Sequence, residues 1–116
     1  MDLPYQPLRI PTGWLVEWNT LFEEDLTTSD RAEHTPLGAS DLLFMRKDSA
    51  KRAIDVEWWL GSRSPVIGEY RLRILKYVDA VSDKASDVDW ESPTYTYETS
   101  SRTELVRKLE ECLDRV

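Results

Sequence analysis

Between Arg52 and Leu60 the chain alternates Ile54, Val56 and Trp58 with Asp55, Glu57 and Trp59. Successive side chains of an extended strand point to opposite sides, so this segment carries an apolar face and a face of a different chemistry. Such a strand has to lie in a sheet that buries one side. The same pattern returns after the breakers Gly61, Ser62, Ser64, Pro65 and Gly68: Tyr70, Leu72 and Ile74 alternate with Glu69, Arg71 and Arg73 and run on towards Val78. The two runs read as an antiparallel hairpin whose loop is longer than the minimal two residues.

Shorter signals extend the sheet. Leu42 to Met45 is an apolar run that ends in the polar turn Arg46, Lys47, Asp48 and Ser49, which makes a three-strand meander with the hairpin. Trp14, Val16 and Trp18 alternate with Leu15 and Glu17 directly after the Pro11 to Gly13 breaker, the mark of an N-terminal strand. Between Thr94 and Glu98, threonines alternate with Tyr95 and Tyr97, a composition that favours strands. About five strands are expected.

The C-terminal segment changes period. Leu105, Leu109, Cys112, Leu113 and Val116 recur at helical spacing, with Arg107, Lys108, Glu110, Glu111 and Asp114 on the other side. Ser101 and Glu104 match a capping box, in which the hydroxyl accepts from an early backbone N–H and the carboxylate reaches back to the cap N–H. The helix should start near Ser101. One apolar stripe must be buried against something, and the sheet is the only large surface on offer. The expectation is a single α+β domain over residues 1–116: an antiparallel sheet of about five strands with the helix packed on one face. The connections Glu23–Ser40 and Asp79–Glu91 are rich in Asp, Ser, Thr and Ala and are expected as exposed loops.

Composition narrows the function classes. Fifteen Lys and Arg against twenty-two Asp and Glu leave a net charge of -7, which repels nucleic-acid backbones and anionic membranes. No stretch approaches the roughly 20 apolar residues that span a bilayer, and the N-terminus lacks the pattern of a secretory signal, so the chain is expected in the cytoplasm. Cys112 is the one cysteine and His34 the one histidine; neither has a companion for a metal site or a nucleophilic triad. Gly13, Gly38, Gly61 and Gly68 form no phosphate-binding cluster. The carboxylates Glu23, Glu24, Asp25, Asp55 and Glu57 read as a solvated surface, since acid and base roles need two carboxyls in different environments across a cleft. The residues point to no enzyme, cofactor or metal.

The tryptophans do point somewhere. Trp14, Trp18, Trp58, Trp59 and Trp90 cannot all enter one small core, because Trp58 and Trp59 leave opposite sides of one strand. Tryptophan is favoured at the centre of protein interfaces, and Trp59 beside Asp55 and Glu57 would suit a partner that presents Lys and Arg. Glu17 and Trp18 extend this candidate face if the N-terminal strand joins the same side. The alternative is a second small apolar cluster covered by the arm Leu3 to Ile10.

In size, charge and layout, and in the segments Gly13-Trp14-Leu15-Val16-Glu17-Trp18-Asn19, Ile54-Asp55-Val56-Glu57-Trp58 and Ser101-Arg102-Thr103-Glu104-Leu105-Val106, the chain resembles the small immunity proteins of bacterial polymorphic-toxin and contact-dependent inhibition systems. The resemblance implies binding to a cognate toxin domain, often a basic nuclease, by covering its active site or a neighbouring surface. It carries over no site residues. A housekeeping protein that binds another protein or a small ligand through the open sheet face is the alternative.

Overall fold

The computed structural model describes residues 4–21, 39–60, 68–78 and 88–116. Strands β1 (Leu15–Asn19), β2 (Ala39–Lys47), β3 (Arg52–Leu60), β4 (Gly68–Lys76) and β5 (Tyr95–Thr99) are followed by helix α1 (Arg102–Arg115). The sheet is antiparallel throughout and its spatial order is the chain order, β1-β2-β3-β4-β5. This is the α+β architecture expected from the alternating runs. β2 begins at Ala39, ahead of the apolar run that marks it, and β3 has the bounds its alternation implies.

One face is apolar and lies under the helix. Leu43 and Met45 of β2, Ile54, Val56 and Trp58 of β3, and Tyr70 and Leu72 of β4 form one buried cluster with Leu105, Leu109, Cys112 and Leu113 of α1. Burial of each large side chain stabilises the fold by about 1.5–3 kcal/mol relative to exposure. Trp58 and Tyr70 meet edge to face with centroids 5.0 Å apart. Gly68 is required here by close approach: a Cβ at that position would come within 2.3 Å of the Trp58 ring.

Helix α1 starts where the capping signal lies, but only half of the box forms. The Ser101 hydroxyl accepts from the Glu104 N–H at 3.2 Å, whereas the Ser101 N–H donates to Thr99 Oγ1 at 3.1 Å. The Glu104 carboxylate is instead bonded to Arg107 at 2.7 Å. The N-terminal arm runs along the same side of the sheet: Leu8 and Trp14 pack on the helix-side cluster, Arg9 N–H donates to Glu110, and the Trp14 indole N–H donates to the Leu113 carbonyl. The arm therefore covers the main core and not a second cluster on the far face.

A second cluster does exist on that far face, made of Ala53, Leu75 and Val88 with Phe44 and Tyr77 packed against it. Val88 forms a bridge with Tyr77 and is buried. The expected exposed loop 79–91 is thus corrected at its end; residues 79–87, like 22–38 of the other connection, lie outside the described residues. Among the described residues no helix is long and apolar enough to cross a membrane.

Candidate functional site

The face away from the helix is built in cross-strand rows. Antiparallel register places Trp18, Phe44, Asp55, Arg73 and Thr96 in one row across all strands, and Asp41, Glu57, Arg71 and Glu98 in the next. Directly opposed side chains on one face of a sheet meet, and here acids meet arginines. Arg73 donates to Asp55 Oδ2 at 2.8 Å and lies 3.7 Å from Glu57, and Arg71 pairs with Glu57. Glu17 pairs with Arg46 beside them.

Two irregularities bring the first strand into this face. The register shifts between Val16 and Trp18, and again between Asp41 and Leu43. A bulge places an extra residue in one strand and re-aims the side chains that follow. Val16 therefore lies opposite Met45 on the helix side while Trp18 lies opposite Phe44 on the far side, and the uniform alternation of Trp14, Val16 and Trp18 is broken. Trp18 is held by its indole N–H, which donates to the Asp41 carbonyl at 3.1 Å.

A short segment after β4 supplies the other wall. Asp89 N–H donates to the Lys76 carbonyl, and the Asp89 carboxylate accepts from the N–H groups of Glu91 and Ser92 at 3.1 and 3.2 Å. This Asx turn holds Trp90 over the sheet. Its ring stacks on Phe44 with centroids 5.7 Å apart, and the Arg73 guanidinium carbon lies 5.3 Å from its centroid. Asp55 sits between Phe44 and Arg73 in the row and lines the same cleft as Trp90.

The result is a cleft of about 400 Å³ lined by Glu17, Trp18, Asp41, Phe44, Asp55 and Trp90. Trp18 and Trp90 are 53% and 46% exposed, whereas Asp55 is 3% and Glu57 5% exposed. Burial pushes the Asp55 carboxyl up to about 6, against the pull of the Arg73 hydrogen bond and charge and with the push of Glu57 and Asp41. Perturbed acids in a cleft mark functional sites. Asp55 is also bonded to Arg73 and lines the cleft with Trp90.

Of the five residues expected on a binding face, Glu17, Trp18 and Asp55 line this cleft and Glu57 lies in the adjoining row. Trp59 pairs through its backbone with Ala39 and Glu69, and its side chain lies outside the described residues, as do His34, Glu23, Glu24 and Asp25. Asp55 and Glu57 do not stand open to a partner as the alternation suggested; each is buried on an arginine of β4. Asp41, Phe44 and Trp90 were missed. Asp41 and Phe44 flank the register shift between Asp41 and Leu43, so simple alternation does not put them on one face, and Trp90 stands in a segment with no periodicity to place it.

A larger groove of about 650 Å³ runs beside α1, lined in part by Arg52, Tyr95, Lys108, Glu111, Cys112 and Arg115. Its charged groups are already engaged. Arg52 donates to the Ala50 and Lys51 carbonyls, Lys108 lies over the Tyr97 ring, and Glu111 accepts from Arg107. Burial pushes the Cys112 thiol up, away from the thiolate that nucleophilic or metal chemistry needs. Among the described residues no three of His, Cys, Asp and Glu are grouped to hold a metal ion. Comparison with family models, with curated proteins and with solved structures finds no match.

Proposed function

We propose that the chain is a protein-binding module whose sheet face opposite α1 engages a basic surface on another protein, and that it serves as an immunity-type protein neutralising a cognate toxin domain. The observation that supports this reading is the cleft itself: two half-open tryptophans beside carboxylates, on a face where, among the described residues, Glu17, Asp41, Asp55, Glu57, Glu69 and Glu98 outnumber Arg46, Arg71 and Arg73. Desolvated aromatic anchors supply affinity, and an excess of one charge steers an oppositely charged partner into contact.

Capture from the source organism with the wild-type chain and with Asp41→Lys side by side tests the reading. One basic protein should be enriched by the wild type and lost by the variant, and coexpression of the wild-type chain should relieve the toxicity of that protein. Identical capture by both chains would contradict the assignment of this face. A basic partner without toxicity would keep the binding face and remove the immunity role. The volume of the cleft also falls within the range of small-molecule sites, so a housekeeping role in binding a small ligand is the second reading, and it requires a ligand that competes with the captured protein.

A further inference from the structure

We infer that the cleft between Trp18 and Trp90 is a receptor for one arginine side chain, presented by the basic partner; the inference rests on the reading above and names its central contact. The floor and walls are the rings of Trp18, Phe44 and Trp90, and the carboxylates of Glu17, Asp41 and Asp55 stand among them. Glu17 and Asp55 are already paired with Arg46 and Arg73. Asp41 has no ion-pair partner among the described residues, and its side chain is exposed. Among the described residues the cleft thus holds one carboxylate, that of Asp41, outside any ion pair and beside aromatic faces.

That combination selects a cation with a flat apolar surface. A guanidinium stacks on an indole and also offers parallel N–H donors to a carboxylate, whereas an ammonium is a strongly hydrated point charge. The molecule contains its own example: Arg73 places its guanidinium against the Trp90 ring while bonded to Asp55. Trp18 and Asp41 repeat these two elements at the open side of the cleft, with the Trp18 ring fixed through the Asp41 carbonyl. A partner arginine entering there meets the same pair of chemistries that the internal arginine meets beneath.

The test uses the blocked amino acid Nα-acetyl-arginine methylamide, with its lysine and citrulline counterparts, read by the indole N–H resonances of Trp18 and Trp90 in NMR titrations. The arginine compound should shift both resonances saturably, the lysine compound should bind more weakly, and uncharged citrulline should leave them in place. Trp18→Ala should weaken arginine binding roughly 3- to 30-fold, and Asp41→Asn should weaken it without moving the denaturation midpoint, because both side chains are exposed. Citrulline or lysine binding as well as arginine, or unmoved indoles, would overturn the inference. If it fails while Asp41→Lys still abolishes capture of a basic protein, the face stands and only its arginine pocket falls; if capture is unaffected, the face itself falls.

Discussion

The two faces of this sheet are made by the same strands and held by opposite physics. Toward α1, Ile54, Val56, Tyr70 and Leu72 are buried among other apolar side chains, and their removal from water stabilises the fold directly. On the far side the intervening residues Asp55, Glu57, Arg71 and Arg73 form ion pairs that are themselves largely buried. Removing charges from water costs several kcal/mol per ion, which their attraction only partly offsets. The apolar face explains why the chain folds. The charged face is a weaker source of stability per buried group, and under the proposed function its arrangement is the scaffold of a binding surface.

The sharpest way to break this contrast is to remove one member of a buried pair. Arg73→Ala strands the buried Asp55 carboxylate and should cost about 3–5 kcal/mol at neutral pH, measured by chemical denaturation. The loss should shrink in acid, where Asp55 can take up a proton. Leu109→Ala probes the other face and should cost about 2–5 kcal/mol at every pH, because it removes only apolar contacts. A Leu109 variant with an unchanged midpoint would mean that the helix is not docked on the sheet.

A pH profile separates the faces further. With the Asp55 carboxyl pushed up to about 6 in the fold, the native state holds this proton more tightly than the unfolded chain. Its contribution is fully present below the unfolded carboxylate range near pH 4 and is lost as pH rises through about 6, an effect on the order of 2–3 kcal/mol. Asp55→Asn should therefore lack this downward slope between pH 4 and 6. A parallel pair of profiles would show Asp55 to be ordinary. The smallest effect belongs to the helix start, where Ser101→Ala should lower stability by about 0.5–2 kcal/mol and leave partner binding unchanged. Loss of binding there would move the interface to the helix side.

The apolar face was readable because alternation and helical spacing report burial directly. All five strands, the helix stripe and the Ser101 cap follow from it. The ion pairs were readable in principle: Asp55 and Glu57 stand two apart on one strand, Arg71 and Arg73 two apart on the next, and an antiparallel hairpin can set them opposite one another. Taken one at a time, these residues look like solvated surface, which is why their burial was missed. Bulges are different. Nothing local announces the shifts at Val16/Trp18 and Asp41/Leu43, yet they put Trp18 into the same row as Phe44. Trp90 is placed by the Asp89 turn and by the Val88 bridge, both of which depend on partners distant in the chain.

Under the proposed function the charged face serves recognition and the apolar face stability. Replacing both Asp55 and Arg73 by leucine tests it most directly, since the buried pair is removed with neither charge left stranded. Denaturation and binding of the captured basic partner would be measured on the same preparation. The expected result is a midpoint equal to or above that of the wild type together with faster partner dissociation. A protein destabilised by several kcal/mol, or one that binds its partner as the wild type does, would contradict it.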